Sequence, residues 1–274
     1  MKGPVANKEY VNKYLQIYET KAQKKFGQNF LIDDDLASSI IENITNNNEH
    51  DLLEIGPGLG ALTYHLLNKI GHKYLVEIDD LMVEHLNNQI QDENVTIIDK
   101  DILKLDLNRF KKPLVVVGNL PYYITTEIIE KLLKSDNVKE ITLMVQKEAY
   151  YRIISPLNTK EYSPLSIFIE YWGGATLIKK VSRHSYLPEP HVDSVVFQVK
   201  NIKEKRLENE KEFFKITNAM FLMRRKTILN NLTSYLKDKE KALQVLDKLN
   251  CPATKRPEQL NLDFYLNLTK ELSW

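Results

Sequence analysis

Cysteine is nearly absent: Cys251 is the single one in 274 residues, so no disulfide framework can form within the chain and a reducing compartment is expected. Long apolar runs are lacking too. No stretch approaches the ~18 apolar residues of a membrane-spanning helix, and the opening MKGPVANKEYVNKYLQ has no apolar core of the kind a secretory leader needs. The expectation is a soluble, cytoplasmic protein with no membrane partner. The six histidines are dispersed, no Cys/His spacing suits a metal, and no metal site is expected. Serine, histidine and aspartate occur without a nucleophile elbow, which leaves hydrolase chemistry without support. Charge of one sign is not in excess either: 38 Lys and Arg against 37 Asp and Glu leave +1, which argues against a protein held to polyanions by bulk charge. Where the charges sit then matters more than their sum. Nothing repeats at a fixed period, and a monomer is the expected state.

What is present is an ordinary globular composition, 43% hydrophobic and 27% charged, enough for one large domain and a small second one. From Asp51 to about Lys200, short β-branched runs alternate with helical patterns, the mark of βαβ units and a parallel sheet. DLLEI, KYLVEI, NVTIID, PLVVVGN and EITLMVQ read as strands; GALTYHLLNKI, DLMVEHLNNQI and TTEIIEKLLKS read as helices, with apolar residues three and four apart. GGATLIKKVS and VDSVVFQVK, separated only by RHSYLPEPH, suit an antiparallel pair closing one edge of the sheet. The fold class expected is α/β: a Rossmann-like, mostly parallel sheet with an antiparallel edge strand, followed by a small C-terminal α-helical domain. The boundary falls near Lys203, where the charge-dense NIKEKRLENEKEFF opens a segment of helical patterns, so the division is 1–203 and 204–274.

The first chemical signal is LLEIGPGLGALT, a buried strand ending in Glu54 and followed by Gly56, Gly58 and Gly60 before a helix. Glycines there let the backbone approach a ligand, and a helix N-terminus offers free N–H groups. Glu77, about 20 residues on at the end of the next strand, is placed to accept ribose hydroxyls. The glycine spacing departs from G-x-G-x-x-G, and the pattern suits either a nicotinamide dinucleotide or S-adenosylmethionine. Asp101, after the third strand, can accept a hydrogen bond from an adenine amino group or simply cap its loop. The fourth strand ends in Asn119-Leu120-Pro121-Tyr122, and ligands of open α/β sheets collect at the carboxyl ends of strands. Such a group suits methylation of an adenine amino nitrogen. The amide oxygen of Asn119 and the carbonyl of Leu120 can accept the two amino hydrogens and turn the nitrogen lone pair toward a methyl donor. Pro121 stiffens the turn, and Tyr122 can stack on the base, worth about 1–3 kcal/mol.

At this point the chain resembles the 16S ribosomal RNA adenine dimethyltransferases over nearly its whole length. KKFGQNFL is similar to the family's N-terminal motif, EIGPGLGALT to its cofactor loop, VEID to its ribose-binding strand end and GNLPYYIT to its catalytic motif. MVQKEAYYRI, PEPHVDSVV and RRKTILNNL are similar to later family segments. The resemblance implies a class I methyltransferase domain that uses S-adenosyl-L-methionine to dimethylate two adjacent adenosines near the 3′ end of 16S rRNA, and a helical RNA-binding domain. It implies cofactor contacts from Asn29, Leu31, Gly56, Gly58, Glu77, Asp101 and Asn119, with Gln28 nearby. Asn119, Leu120, Pro121 and Tyr122 would form the catalytic group, and Tyr186 would flank the base opposite Tyr122. Two basic patches, Lys24 with Lys25 and Arg224, Arg225 with Lys226, are the expected phosphate grips.

Three positions depart from the family pattern. Tyr123 stands where many relatives carry Asn, Tyr186 takes the place of a Phe, and EYSPLS has Ser-Pro where relatives tend to have glycine. Competing readings are a 23S rRNA adenine dimethyltransferase of the macrolide-resistance type, a non-catalytic RNA or transcription-complex binder on the same scaffold, and a nicotinamide-dependent oxidoreductase. NLPY rather than NIPY, QKE after the fifth strand and RRKTILNNL favour the small subunit over the first. Intact cofactor and base motifs weigh against the second, and the third gives Asn119 and Tyr122 no role.

Overall fold

The computed structural model describes residues 1, 3–17, 29–201 and 207–272. Among the described residues the strands are β1 (Phe30–Leu31), β2 (Asp51–Ile55), β3 (Lys73–Glu77), β4 (Val95–Asp99), β5 (Leu114–Asn119), β6 (Val138–Gln146), β7 (Thr176–Val181), β8 (Tyr186–Leu187) and β9 (Ser194–Lys200). Seven of them form one sheet in the order β4-β3-β2-β5-β6-β9-β7, and β1 pairs with β8 in a separate two-stranded ribbon. The five strands from β4 to β6 in that order are parallel, while β9 runs antiparallel to both β6 and β7. This is the mostly parallel sheet with an antiparallel edge that the sequence leads one to expect.

The central strands are central because their side chains allow nothing else. LLEI of β2 and LVVVG of β5 are buried at every position, the continuous pattern of strands covered on both faces. The edge strand β4 is half-buried to exposed instead. Gly118 precedes the last residue of β5 for a steric reason: a Cβ there would fall 2.8 Å from the Ile55 carbonyl oxygen of the neighbouring strand. The chain lays down β2, β3 and β4 in one direction, then returns to place β5 on the other side of β2. The sheet therefore has its switch point between β2 and β5, and a crevice opens beyond their carboxyl ends.

Helices α2 (Asp34–Glu42), α3 (Ala61–Leu66), α4 (Asp80–Gln89) and α5 (Thr125–Leu133) flank the sheet. Asp33 and Asp79 cap α2 and α4 by accepting the main-chain N–H of Leu36 and Leu81. An additional helix, α1 (Lys8–Ile17), precedes the sheet. No helix among the described residues is long and apolar enough to cross a membrane.

The chain divides into two compact units, Met1–Tyr150 with Thr176–Asn201, and Tyr151–Ala175 with Ile202–Trp274. This differs from a division at residue 203 by one segment, and the reason is aromatic packing. Helix α7 (Pro164–Trp172) turns Phe168 edge-on to Phe214 of α8 (Glu210–Met220), with ring centroids 4.7 Å apart, and stacks Tyr171 at 4.8 Å from Phe213. The Tyr171 hydroxyl donates to Glu210 Oε1 at 2.7 Å. EYSPLS is the start of this helix, with Ser163 at its N-cap and Pro164 in its first turn, where a missing N–H costs nothing. Helices α9 (Ile228–Leu236), α10 (Lys239–Lys248) and α11 (Leu262–Leu272) complete the second unit, α9 and α10 capped by Thr227 and Asp238. Helix α6 (Lys147–Ile153) follows β6.

Candidate active site

The carboxyl ends of β2, β3, β4 and β5 open into a cavity of about 240 Å³. After β2 the chain turns through Gly56, Gly58 and Gly60, all at positive φ, before entering α3. At Gly58 the requirement is double, because φ is +54° and the Phe30 ring lies 3.5 Å from where a Cβ would stand.

Glu77 at the end of β3 fixes that turn. Its Oε2 accepts the Gly58 N–H at 3.0 Å, and its Oε1 accepts the N–H groups of Ile78 and Asp79 at 2.8 and 3.0 Å. Burial pushes the carboxyl up from its ordinary value, and the three main-chain donors only partly oppose that. A carboxylate has about four acceptor positions; three are in use, so Glu77 is a brace of the glycine turn as well as a wall of the cavity. Asp101 combines two roles in the same way: it lines the cavity while its Oδ1 accepts Leu103 N–H at 2.9 Å.

Glu54 carries the largest electrostatic cost. It is 2% exposed in the cavity wall, and burial drives its pKa to about 8, aided by the nearby Glu77 and opposed by the Thr63 hydroxyl, which donates to it at 2.6 Å. At neutral pH its carboxyl is mostly uncharged.

Asn119, last in β5, donates its Nδ2 to the Asn29 main-chain carbonyl at 3.2 Å. A carbonyl can only accept, so this bond fixes which way round the amide stands and leaves Oδ1 as its remaining acceptor. Leu120 is anchored by its N–H on the Met144 carbonyl at 3.0 Å and by a side chain 1% exposed. The Pro121 carbonyl accepts the Thr125 hydroxyl at 3.0 Å, tying the turn to the start of α5. Tyr122 opens a short 3-10 turn, and its side chain lies outside the described residues. Tyr123 lines the cavity and is 59% exposed, a rim position.

The fold thus gathers Asn29, Leu31, Gly56, Gly58, Glu77, Asp101, Asn119, Leu120 and Pro121 around one cavity. Gln28, Lys24 and Lys25 lie outside the described residues. Tyr186 does not line the cavity: it is 2% exposed, paired with Leu31 in the β1–β8 ribbon and packed in the core with Ile40, Val181 and Val196. In this conformation it offers a base no surface. Arg224 is exposed, and its Nη2 donates to the carbonyl oxygens of Lys160 and Tyr162, the latter at 2.8 Å. Arg225 and Lys226 are exposed.

The family model for ribosomal RNA adenine dimethylase matches residues 19–270. A Clostridium botulinum (strain Kyoto / Type A2) protein named ribosomal RNA small subunit methyltransferase A is 38% identical over 269 residues, 96% of each chain. A Streptococcus gordonii protein of the same name is 40% identical over 265 residues, 91% of each chain. The chain belongs to the ribosomal RNA adenine dimethylase family. It is an rRNA adenine methyltransferase. Among solved structures, a dimethyladenosine transferase from Plasmodium falciparum superposes with a TM-score of 0.74 at 26% identity, covering 89% of this chain and 97% of that one. The 23S rRNA methyltransferase ErmE shares the fold, with a TM-score of 0.61 at 23% identity over 90% of this chain and all of that one.

Several cavity residues of this dimethylase were not singled out by residue type. Ile78, inside VEID, and Lys100, Ile102 and Leu103 follow strand ends and join the cavity wall once the chain is folded. Val5 is more instructive, since it comes from the N-terminal segment, 4% exposed against the cavity. A signal for the helix after it was available: Asn7 accepts the Tyr10 N–H at 2.8 Å, an N-cap placement, and Val11, Tyr14 and Leu15 recur three and four apart.

Proposed function

We propose that this enzyme transfers methyl groups from S-adenosyl-L-methionine to N6 of two adjacent adenosines near the 3′ end of 16S rRNA, in the small ribosomal subunit or its precursor. The relatives named for the small subunit support that target. The observation that carries the chemistry is the Asn119 amide, held by the Asn29 carbonyl with its oxygen left to accept.

The cavity suits the cofactor by its donor set. Glu54, Glu77 and Asp101 line it together with the apolar Val5, Ile78 and Ile102, an arrangement fit for a ligand with both a flat apolar base and positive charge. A cation entering the cavity would offset the burial that keeps Glu54 protonated. When bound, the cofactor supplies an electrophilic methyl group on a sulfonium. Glu77, Asp101, the glycine turn, Asn29 and Leu31 would hold it.

Asn119 Oδ1 and the Leu120 carbonyl accept the two N6 hydrogens of an adenosine turned out of its helix, so that the nitrogen lone pair faces the methyl group. Each methyl group would come from the cofactor by cleavage of its sulfur–carbon bond as the N6–carbon bond forms, leaving S-adenosylhomocysteine and one N6 proton released to water; the second methyl of the dimethyl product would come from a second cofactor molecule. No side chain has to deprotonate the amine first. Orientation of this kind can supply as much as about 7–11 kcal/mol. Tyr122 stacks on the base, and Lys24, Lys25, Arg225 and Lys226 grip phosphates. Mass spectrometry of rRNA from cells with and without this gene tests the target: N6,N6-dimethyladenosine in the small-subunit RNA disappears on deletion, and its persistence, or a loss confined to 23S RNA, contradicts the proposal.

A further inference from the structure

The glycine turn has a partner that the strand-end motifs do not announce. Val5 lines the cavity, and the Met1 thioether fills the space where a Gly60 side chain would stand. Helix α1 then packs Val11 and Tyr14 into a cluster with Phe30, Leu59 and Met82, so one hydrophobic core joins the N-terminal helix, the glycine turn and α4. Two of those residues, Phe30 and Leu59, are themselves cavity residues.

A buried histidine links the same three elements. His85 of α4 is 4% exposed; its Nε2 is 3.2 Å from the Tyr10 hydroxyl, and the Tyr14 ring stands edge-on to it with centroids 4.8 Å apart. Burial holds the imidazole below its ordinary pKa, and the Leu59 main chain in the glycine turn partly opposes that. The His85 Nε2 meets Tyr10 of α1 while its ring packs on Tyr14, which shares a hydrophobic cluster with Leu59 of the glycine turn, so this side chain joins α4 to α1 beside that turn.

We propose that Met1 and residues 3–17 are a working wall of the cofactor site, with His85 as the positioning residue that couples α1 to the glycine turn, so that the wall docks more firmly when S-adenosylmethionine or S-adenosylhomocysteine is bound. This rests on the cavity being the cofactor site. The ligand needs only the adenosyl part to sense the wall, because Val5 and Leu59 add apolar surface and no charge.

The test uses the full-length protein. Hydrogen exchange of amides 5–17 is followed with and without S-adenosylhomocysteine, and affinity is measured by calorimetry for the wild type, His85→Ala, Tyr10→Phe and Val11→Asp. The expected result is slower exchange across the wall on ligand binding. A variant whose wall is docked a tenth of the time binds about tenfold more weakly, since apparent affinity scales with the competent fraction. Val11→Asp, which strikes the docking core outside the cavity, shows the largest loss, His85→Ala a smaller one, and Tyr10→Phe the least. A merely structural role for His85 would lower the melting temperature and leave affinity unchanged, which overturns the proposal, as does ligand-independent exchange of the wall. If Val11→Asp fails to fold, His85→Ala and the exchange data decide. No binding by the wild type overturns the cofactor reading itself and this inference with it.

Discussion

Two polar regions that look alike in the sequence behave differently in the fold. At the carboxyl ends of β2 to β5, the residues singled out by type and spacing converge on one cavity, and most are tied down by main-chain partners: Glu77 by three N–H groups, Asn119 by a carbonyl, Asp101 by a turn N–H. In the turn between α8 and α9, three adjacent cations separate in role. All three are exposed, and Arg224 also donates to the carbonyls of residues 160 and 162. A parallel sheet forces its strand ends to share a crevice, so there neighbourhood follows from topology. In a turn, successive side chains point in different directions, and a motif mixes residues that hold the fold with residues free to meet a ligand.

The comparison breaks most visibly at Asn119. Replacing it with alanine removes the oriented acceptor; by analogy with losing one preorganised polar contact in an active site, turnover falls by about 10²–10³ or more. Methylation assays beside RNA-binding titrations check this, with RNA affinity staying within a few fold. Retained turnover would show that the amide does not orient the amine.

Glu77→Ala comes next. It orphans three N–H groups and loosens the glycine turn, so cofactor affinity drops by about 2 kcal/mol, or some thirtyfold, in calorimetry. Glu77→Gln recovers only part, since an amide NH₂ cannot accept from a main-chain N–H.

Glu54 gives a pH signature of the same wall. The folded chain holds its proton up to about pH 8, against 4.5 as the ordinary value, so between those limits the folded state binds more protons than the unfolded one and stability falls as pH rises. Glu54→Gln keeps an acceptor for Thr63 and removes the titration. Its melting temperature relative to the wild type should climb as pH goes from 5 to 8; a constant difference would mean that the carboxyl is already ionised at neutral pH.

The smallest effects separate the two arginines. Arg224→Ala costs about 1 kcal/mol of stability, the scale of hydrogen bonds from an exposed charged donor, with little change in how RNA binding depends on salt. Arg225→Ala does the reverse: stability holds, and the log-log salt slope becomes shallower by about 0.7–0.9 for the lost phosphate contact. Equal behaviour of the two would erase the distinction drawn here.

Much of the site was legible because β-strand signals are strong and local. The run LVVVGN gave both the strand and the position of Asn119 at its end, and the parallel order put Glu77 and Asp101 beside it. What sequence could not give was direction. Glu77 reads as a ribose acceptor, yet three of its acceptor positions face the main chain. Tyr186 reads as a base-flanking aromatic, but its pairing with Leu31 turns it into the core. Ser163-Pro164 reads only as a departure from the family pattern when it is a helix start, a signal present in the residues themselves. The N-terminal wall was hidden for another reason: its partners, Leu59 and His85, lie far along the chain, and only tertiary packing brings them together.

The most direct test of the whole account is methyl transfer by the purified protein onto ribosomal subunits lacking adenine N6 dimethylation. With S-adenosylmethionine present, digestion and mass spectrometry should find N6,N6-dimethyladenosine at two adjacent positions near the 3′ end of the small-subunit RNA, none in the large-subunit RNA, and none with the Asn119→Ala variant. Dimethylation of the large-subunit RNA, or undiminished product from the variant, would contradict it.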